Sequence, residues 1–362
     1  MAFGLYLHIP YCKSKCSYCD FYSMGRRTEV PQPYIDALLR EMRRFTNCDC
    51  TALRPDTLYF GGGTPSLLTP AQVARLIDEA SPVPGAEITL EANPDTVTAE
   101  SLAGYRKAGV NRLSIGVQSA SDRQLALLGR AHTAQTARAA FEMAQKAGFT
   151  NISGDIMLAL PHYSRTEFDE TLSLIAEGGA THISSYLLKI EEKTKFGLHP
   201  PEGLPDEDQA ADFYLYAVEQ FAARGYAQYE ISNFAQPGYE SRHNMIYWEL
   251  GDYLGIGPAA YSCMGGERFH YPPDLNAFIA RTAPVLPDGK TDAEEYIMLQ
   301  LRLAHGLDFK KLRTGFGLSL NEEQHKKITL YQKAGLCTFS GDVLRLTPKG
   351  LLVQNSILTE LF

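Results

Sequence analysis

With 362 residues, 44% of them hydrophobic and 21% charged, the chain has enough material for one large globular domain and a smaller one. Its 34 basic and 42 acidic side chains leave a net charge of −8, which supplies no general attraction to nucleic acid or anionic lipid. The seven cysteines do not form the even framework of a disulfide-stapled secreted domain. No basic-then-apolar leader and no run approaching ~18 apolar residues is present, so a cytoplasmic location is expected.

In chain order, short β-branched or apolar runs predict strands at Leu5–Ile9, Thr57–Phe60, Glu87–Ala92, Arg112–Val117, Ile152–Leu158 and His182–Leu188. Helical spacing falls mostly between them, at Tyr34–Phe45, Ala71–Ala80, Ala99–Ala108, Ala134–Ala147, Glu167–Glu177 and Asp208–Arg224. Gly109, Gly148 and Gly225 stand just past helical stretches, where a chain leaves a helix through a left-handed residue. Successive strand–helix units imply a parallel sheet with helices on its faces, an α/β fold. Periodicity alone leaves open a doubly wound sheet or a full or partial barrel. Residues 226–290 are less regular and rich in Tyr, Gly and Pro. From Asp292 the texture changes to helices at Ala293–Leu303 and near Glu322–Ala334. Two strands follow, Cys337–Ser340 and Val343–Leu346, joined by Gly341-Asp342, and then a helix at Lys349–Glu360. The expected organisation is a large α/β domain over 1–225, an irregular extension over 226–290, and a small winged-helix-like C-terminal domain over 291–362. Without a basic stripe, that small domain is expected to pack or cover rather than to bind DNA.

The sharpest chemical signal is Cys12-Lys-Ser-Lys-Cys16-Ser-Tyr18-Cys19, a C-x3-C-x2-C spacing directly after the first strand. Thiolates are the usual ligands of iron–sulfur clusters, and three of them leave one iron of a 4Fe–4S cubane without a protein ligand. Pro10 and the polar residues between the thiols favour an irregular wrapping loop, and Lys13 and Lys15 would favour the thiolates. A zinc site, with His8 as a candidate fourth ligand, or three unrelated buried cysteines are the alternatives. After the second strand, Gly61-Gly62-Gly63-Thr64 can bring backbone N–H groups close to an anion or simply make a tight turn. Glu91, Gln118 and Asp155 lie at or near the C-terminal ends of the next three strands, with Arg130 following, the way barrel sites collect polar groups.

The cysteine loop resembles the defining motif of the radical-SAM superfamily. That resemblance implies that the open iron is chelated by S-adenosylmethionine, that one-electron reduction yields a 5′-deoxyadenosyl radical, and that the fold is a full or partial (β/α) barrel. From Tyr6 to about residue 305 the chain resembles, in register, the branch containing oxygen-independent coproporphyrinogen III oxidase. By that likeness Tyr6, Gly62 and Glu91 contact the cluster-bound cofactor. Tyr18, Gly63, Thr64, Gln118, Arg130 and Asp155 match positions that contact a second S-adenosylmethionine in the oxidase. Two features argue against oxidase activity. The chain starts almost at the cysteine loop, without the oxidase's N-terminal extension, and Phe21 stands where the oxidase has a further cysteine.

Tyr229-Glu-Ile-Ser-Asn-Phe-Ala235, Ser241-Arg-His243-Asn-Met-Ile-Tyr247-Trp248 and Gly251-Asp-Tyr-Leu-Gly-Ile-Gly257 resemble instead the heme-chaperone family HemW. The histidine of H-N-x-x-Y-W is implicated there in heme binding, which makes His243 the candidate heme-iron ligand; by residue type alone it reads as a satisfied core histidine. The implied cofactors are the 4Fe–4S cluster, S-adenosylmethionine and heme. The implied partners are a heme-acceptor protein, an electron donor and, peripherally, membrane hemoproteins; the alternative is a radical enzyme acting on a tetrapyrrole. Two departures lie near the presumed pocket and leave open a ligand other than heme. Ala159-Leu160-Pro161-His162 replaces the family's Gly-Leu-Pro-Gly turn, and Glu191–Phe196 lacks the expected prolines and glycine. His162 is expected at the surface. Cys48, Cys50, Cys263 and Cys337 read as ordinary thiols.

Overall fold

The computed structural model describes residues 2–46 and 54–362, so Cys48 and Cys50 lie outside the described residues. Six parallel strands form in chain order: β1 (Phe3–Ile9), β2 (Thr57–Gly62), β3 (Glu87–Ala92), β4 (Arg112–Gln118), β5 (Asn151–Leu158) and β6 (His182–Leu187). Each neighbours the next in space as in sequence. That order decides between the two α/β alternatives. A doubly wound sheet reverses direction at a switch point, whereas an uninterrupted 1-to-6 progression curls as a barrel.

The barrel does not close. Strands β7 (Ala227–Gln228) and β8 (Asn233–Ala235) extend the β6 edge, β8 running antiparallel to β6. Strand β9 (Asp252–Ile256) lies parallel to β1 on the other edge, followed by the antiparallel strands β10 (Tyr261–Met264), β11 (Glu267–His270) and β12 (Leu286–Lys290). The result is one twelve-stranded mixed sheet with free ends at β12 and β7. Residues 226–290 therefore carry strands on both edges of the barrel.

Side-chain alternation explains where the core sits. In β1, Leu5, Leu7 and Ile9 point outward to the helices, as do Leu58 and Phe60, Ile88 and Leu90, and Leu113, Ile115 and Val117 on the next strands. The opposite face is polar: Tyr6, Tyr59, Thr89 and Arg112 occupy one register row. The apolar core thus lies between strands and helices, and the barrel interior is left for chemistry.

Local signals set the helix ends. Thr69, Thr98, Ser164 and Asp206 each form a capping box with the residue three positions on. Gly109 closes its helix at φ 113°. The C-terminal domain has its own apolar cluster around Leu301, Leu307, Leu312 and Leu344. Its sheet runs β13 (Leu307–Asp308), β15 (Val343–Leu346), β14 (Cys337–Ser340). Gly341 and Asp342 both take positive φ, 59° and 64°, as a two-residue hairpin turn of this twist requires. The last predicted helix is two, Pro348–Leu352 and Gln354–Leu361, broken at Val353.

Candidate functional site

A cavity of about 1560 Å³, its mouth included, opens at the C-terminal ends of the barrel strands. Cys12, Cys16 and Cys19 form part of its wall, with Tyr18, Gly62, Gly63, Thr64, Glu91, Gln118, Arg130 and Asp155. Residues separated by more than 140 positions are thus brought into one chamber, as the strand-end positions predict.

The thiols are held individually. Cys12 is buried, and its Sγ accepts from the Thr64 hydroxyl at 3.5 Å. Cys16 Sγ accepts from Arg130 Nη1 at 3.5 Å, while Arg130 Nη2 donates to Asn93 Oδ1 at 2.8 Å and the Gly116 carbonyl at 2.7 Å. Asn93 Nδ2 in turn donates to Thr64 Oγ1 at 3.1 Å, which ties the two thiol donors into one network. Among the described residues Cys12, Cys16, Cys19, Cys263 and Cys337 are all free.

Lys13 does not serve the thiolates as its position suggests: it pairs with Asp95 at 3.1 Å. Lys15 donates to the Phe21 carbonyl at 3.3 Å, and its charge does favour the Cys19 thiolate, as the spacing predicts, without outweighing burial. Burial, with the neighbouring thiols adding, pushes the Cys19 thiol up rather than down. His8 is not available as a fourth ligand, because its Nδ1 meets the Tyr6 hydroxyl at 3.0 Å and its Nε2 meets the Tyr22 carbonyl at 2.9 Å. Among the described residues no three His, Cys, Asp or Glu side chains converge on a single-ion position. Three free thiols on one wall are the donor type that iron–sulfur clusters take.

Two glycines shape the cradle. A Cβ on Gly63 would lie 2.8 Å from the Ile9 and Tyr11 carbonyls and 3.0 Å from Cys12 Sγ. One on Gly62, at φ 111°, would meet the His8 ring at 2.6 Å. The Gly62 N–H donates to Glu91 Oε2 at 3.1 Å, and the Tyr59 hydroxyl donates to Oε1 at 2.9 Å. Burial nevertheless pushes Glu91 up to about 7, and the same cause lifts Asp155 to about 6 although Ser114 donates to it at 3.0 Å. Arg112, fully buried one row below Ser114, pulls both acids back down, and its own Nε has no partner among the described residues. Ser114, Met157 and Tyr186 also line the chamber. Their signal was two-residue alternation from Gly116, Asp155 and Ser184, which the strand registers make readable.

Tyr6 and His243 are not on the cavity wall. Tyr6 stacks on Tyr59 at 6.1 Å in the row beneath. His243 sits on the helix Arg242–Trp248, capped by the Ser241 hydroxyl accepting from the Asn244 N–H, with the Arg242 and His243 N–H groups donating to Glu87 at the start of β3. Its ring is 1% exposed and stacks on Tyr59 at 5.0 Å. Nδ1 meets Thr57 Oγ1 at 2.6 Å and Nε2 meets the Tyr247 hydroxyl at 2.7 Å, so both nitrogens are engaged. Burial, with the nearby Arg112 charge, pulls the imidazole down to about 3.

His162 is exposed. Ala159 and His162 adopt φ 56° and 51°, the left-handed region that glycine takes more readily. Among the described residues no helix is long and apolar enough to cross a membrane.

Residues 6–175 match the model of the radical SAM superfamily, and residues 288–353 match that of the HemN C-terminal domain. The chain is 34% identical over 373 residues to the heme chaperone HemW of Bacillus subtilis, covering 97% of each protein. It is 42% identical over 263 residues to the heme chaperone HemW of Escherichia coli, covering 71% of this chain and 69% of that one. Among solved structures, coproporphyrinogen III oxidase (HemN) from Escherichia coli superposes with a TM-score of 0.83 at 22% identity, covering 99% of this chain and 90% of that one.

Proposed function

Since the chain belongs to the HemW family of heme chaperones within the radical SAM superfamily, we propose that it binds heme and passes it to an acceptor protein, using a 4Fe–4S cluster and S-adenosylmethionine held in the strand-end cavity. The observation that carries this reading is the convergence of three free thiols, the Gly62–Gly63 cradle and the buried acids Glu91 and Asp155 on one chamber.

Cys12, Cys16 and Cys19 hold the cluster, whose open iron would supply one-electron reduction of the bound sulfonium. Thr64 and Arg130 donate to two of the three sulfurs and so fix their positions on the wall. Gly62 offers close backbone approach, and Glu91 offers a carboxylate to the cofactor's ammonium group, with Tyr6 supporting the row beneath. Tyr18, Gly63, Thr64, Gln118, Arg130 and Asp155 are assigned to the rest of the ligand surface. The acceptor protein, an electron donor, a cytoplasmic location and contact with membrane hemoproteins belong to the same reading.

The test is anaerobic reconstitution with iron and sulfide, then a heme titration followed in the Soret region. Saturable binding is expected. A well-formed cluster protein that binds no heme but consumes coproporphyrinogen with S-adenosylmethionine would replace the chaperone with a radical enzyme.

A further inference from the structure

We propose that Arg130 is a potential-setting residue: its guanidinium, lodged against Cys16 Sγ, makes the 4Fe–4S cluster easier to reduce, and the Thr64 hydroxyl on Cys12 Sγ adds a smaller share. This rests on the cluster reading and gives the two side chains a role separate from contact with S-adenosylmethionine.

Each sulfur of the loop has a donor of a different kind. The Thr64 hydroxyl donates to Cys12 at 3.5 Å, the Arg130 guanidinium donates to Cys16 at 3.5 Å, and the Phe21 backbone N–H serves Cys19. Only the Arg130 donor carries a full charge, and a guanidinium keeps that charge at every working pH. The two lysines of the loop are engaged elsewhere, Lys13 with Asp95 at 3.1 Å and Lys15 with the Phe21 carbonyl at 3.3 Å.

The fold holds Arg130 in place from several sides. Its Nη2 donates to Asn93 Oδ1 at 2.8 Å and to the Gly116 carbonyl at 2.7 Å. A Cβ on Gly116 would stand 3.0 Å from that nitrogen, so the glycine leaves room for the guanidinium. The turn carrying Arg130 is seated on the cysteine loop itself. The Ser17 N–H donates to the Leu128 carbonyl at 2.9 Å, and a Cβ on Gly129, at φ 72°, would meet Ser17 Oγ at 3.0 Å. Asn93 also donates to Thr64 Oγ1 at 3.1 Å, which keeps both sulfur donors in one frame. Asp95, the acid whose charge the guanidinium also feels, is bonded to Lys13. The positive charge of Arg130 is thus spent on carbonyl oxygens and a sulfur rather than cancelled by a contacting carboxylate.

Reduction brings one electron, and no proton, to a group that three thiolates already make anionic. A fixed cation against one of those sulfurs stabilises the added negative charge. Hydrogen bonds to the sulfurs and local charge are the levers by which a protein sets such a potential. A charge-assisted donor is roughly twice as strong as a neutral one, so the arginine outweighs the threonine.

The test uses the full-length parent and the variants Arg130→Met, Arg130→Lys, Thr64→Val and Thr64→Ser, each reconstituted anaerobically with iron and sulfide and kept free of S-adenosylmethionine. Each is titrated with dithionite in the presence of mediator dyes, and the reduced cluster is followed by electron paramagnetic resonance; bound iron verifies loading. At the potential where half of the parent is reduced, the reduced-to-oxidised ratio of Arg130→Met should be lower by about tenfold, which for one electron is ~59 mV. Arg130→Lys, which keeps the charge, should fall between the two. Thr64→Val should lower the ratio by about threefold, and Thr64→Ser, which keeps the hydroxyl, should restore it. A residue that only props up the loop changes how much cluster is bound, not the potential of what is bound. If Arg130→Met binds too little iron to titrate, the Thr64 pair decides. Arg130→Met and Thr64→Val clusters that are reduced at the parent's potential would overturn the proposal and leave the cluster standing. A parent that assembles no 4Fe–4S cluster would remove the cluster reading itself, and the proposal with it.

Discussion

Replacing His243 by Phe separates a sealed structural histidine from an open ligand, and the separation is in its pH dependence. Phe keeps the stack on Tyr59 but abandons the Thr57 hydroxyl and the Tyr247 hydroxyl, bonded to the imidazole at 2.6 and 2.7 Å. Two buried polar groups left unpartnered at ~1–3 kcal/mol each predict a loss of roughly 2–6 kcal/mol at pH 7. In the fold the imidazole is held down to about 3 by burial; in the unfolded chain it titrates near ~6.5. A depressed base binds fewer protons folded than unfolded, so the parent loses stability as pH falls below ~6.5, at ~1.4 kcal/mol per unit. By pH 5 that loss is about 2 kcal/mol, and the Phe variant does not suffer it. The penalty of the substitution should therefore shrink by about 2 kcal/mol between pH 7 and pH 5. Buried acids such as Glu91 and Asp155 are common to both proteins and cancel in the difference. The assay is urea unfolding of the metal-free chains at the two pH values, read by fluorescence of Trp248, the sole tryptophan, at the end of the same helix. A penalty that does not change with pH would refute the reasoning, because it would mean that His243 titrates normally in the fold and is open to solvent and ligand.

Cys16→Ala should abolish the cluster, seen as loss of bound iron and of charge-transfer absorbance, while far-ultraviolet circular dichroism stays unchanged because Cys16 is only half-buried at the cavity wall. S-adenosylmethionine affinity should rise with pH through about 7 as Glu91 ionises, and Glu91→Gln should weaken binding and flatten that rise; equilibrium dialysis between pH 6 and 8 checks both. Arg112→Met removes the buried cation that favours the ionised form of Glu91, so the midpoint of the same profile should move up, and an unmoved midpoint would dismiss its electrostatic role. Ala159→Gly should stabilise the protein by roughly 0.5–1 kcal/mol in urea, because φ of 56° strains an alanine and not a glycine.

Spacing along the chain carried much of this protein. Three thiols after a strand, glycines after the next and polar residues near the ends of three more are all local patterns, and each landed on the cavity wall. The strand centres and the Gly341-Asp342 hairpin were legible for the same reason: period-two burial and turn stereochemistry depend on a few neighbouring residues. Only the tertiary structure decided the rest. Strand order chose the barrel over the doubly wound sheet, since periodicity is blind to which strand lies beside which. Barrel curvature placed Tyr6 and His243 in rows below the cavity, although their motifs look as functional as the cysteine loop. It also set Phe21 near Tyr186 and Leu187, a wall invisible in sequence because its two sides are separated by most of the barrel. The Ala159–His162 turn shows the same division: two residues that disfavour positive φ adopt it at the β5 exit, around the buried Leu160. Sequence determined which groups could do chemistry, through local periodicity and spacing. Tertiary packing determined which of them face one another, because chain closure over long separations is set by the whole sheet and not by any segment of it.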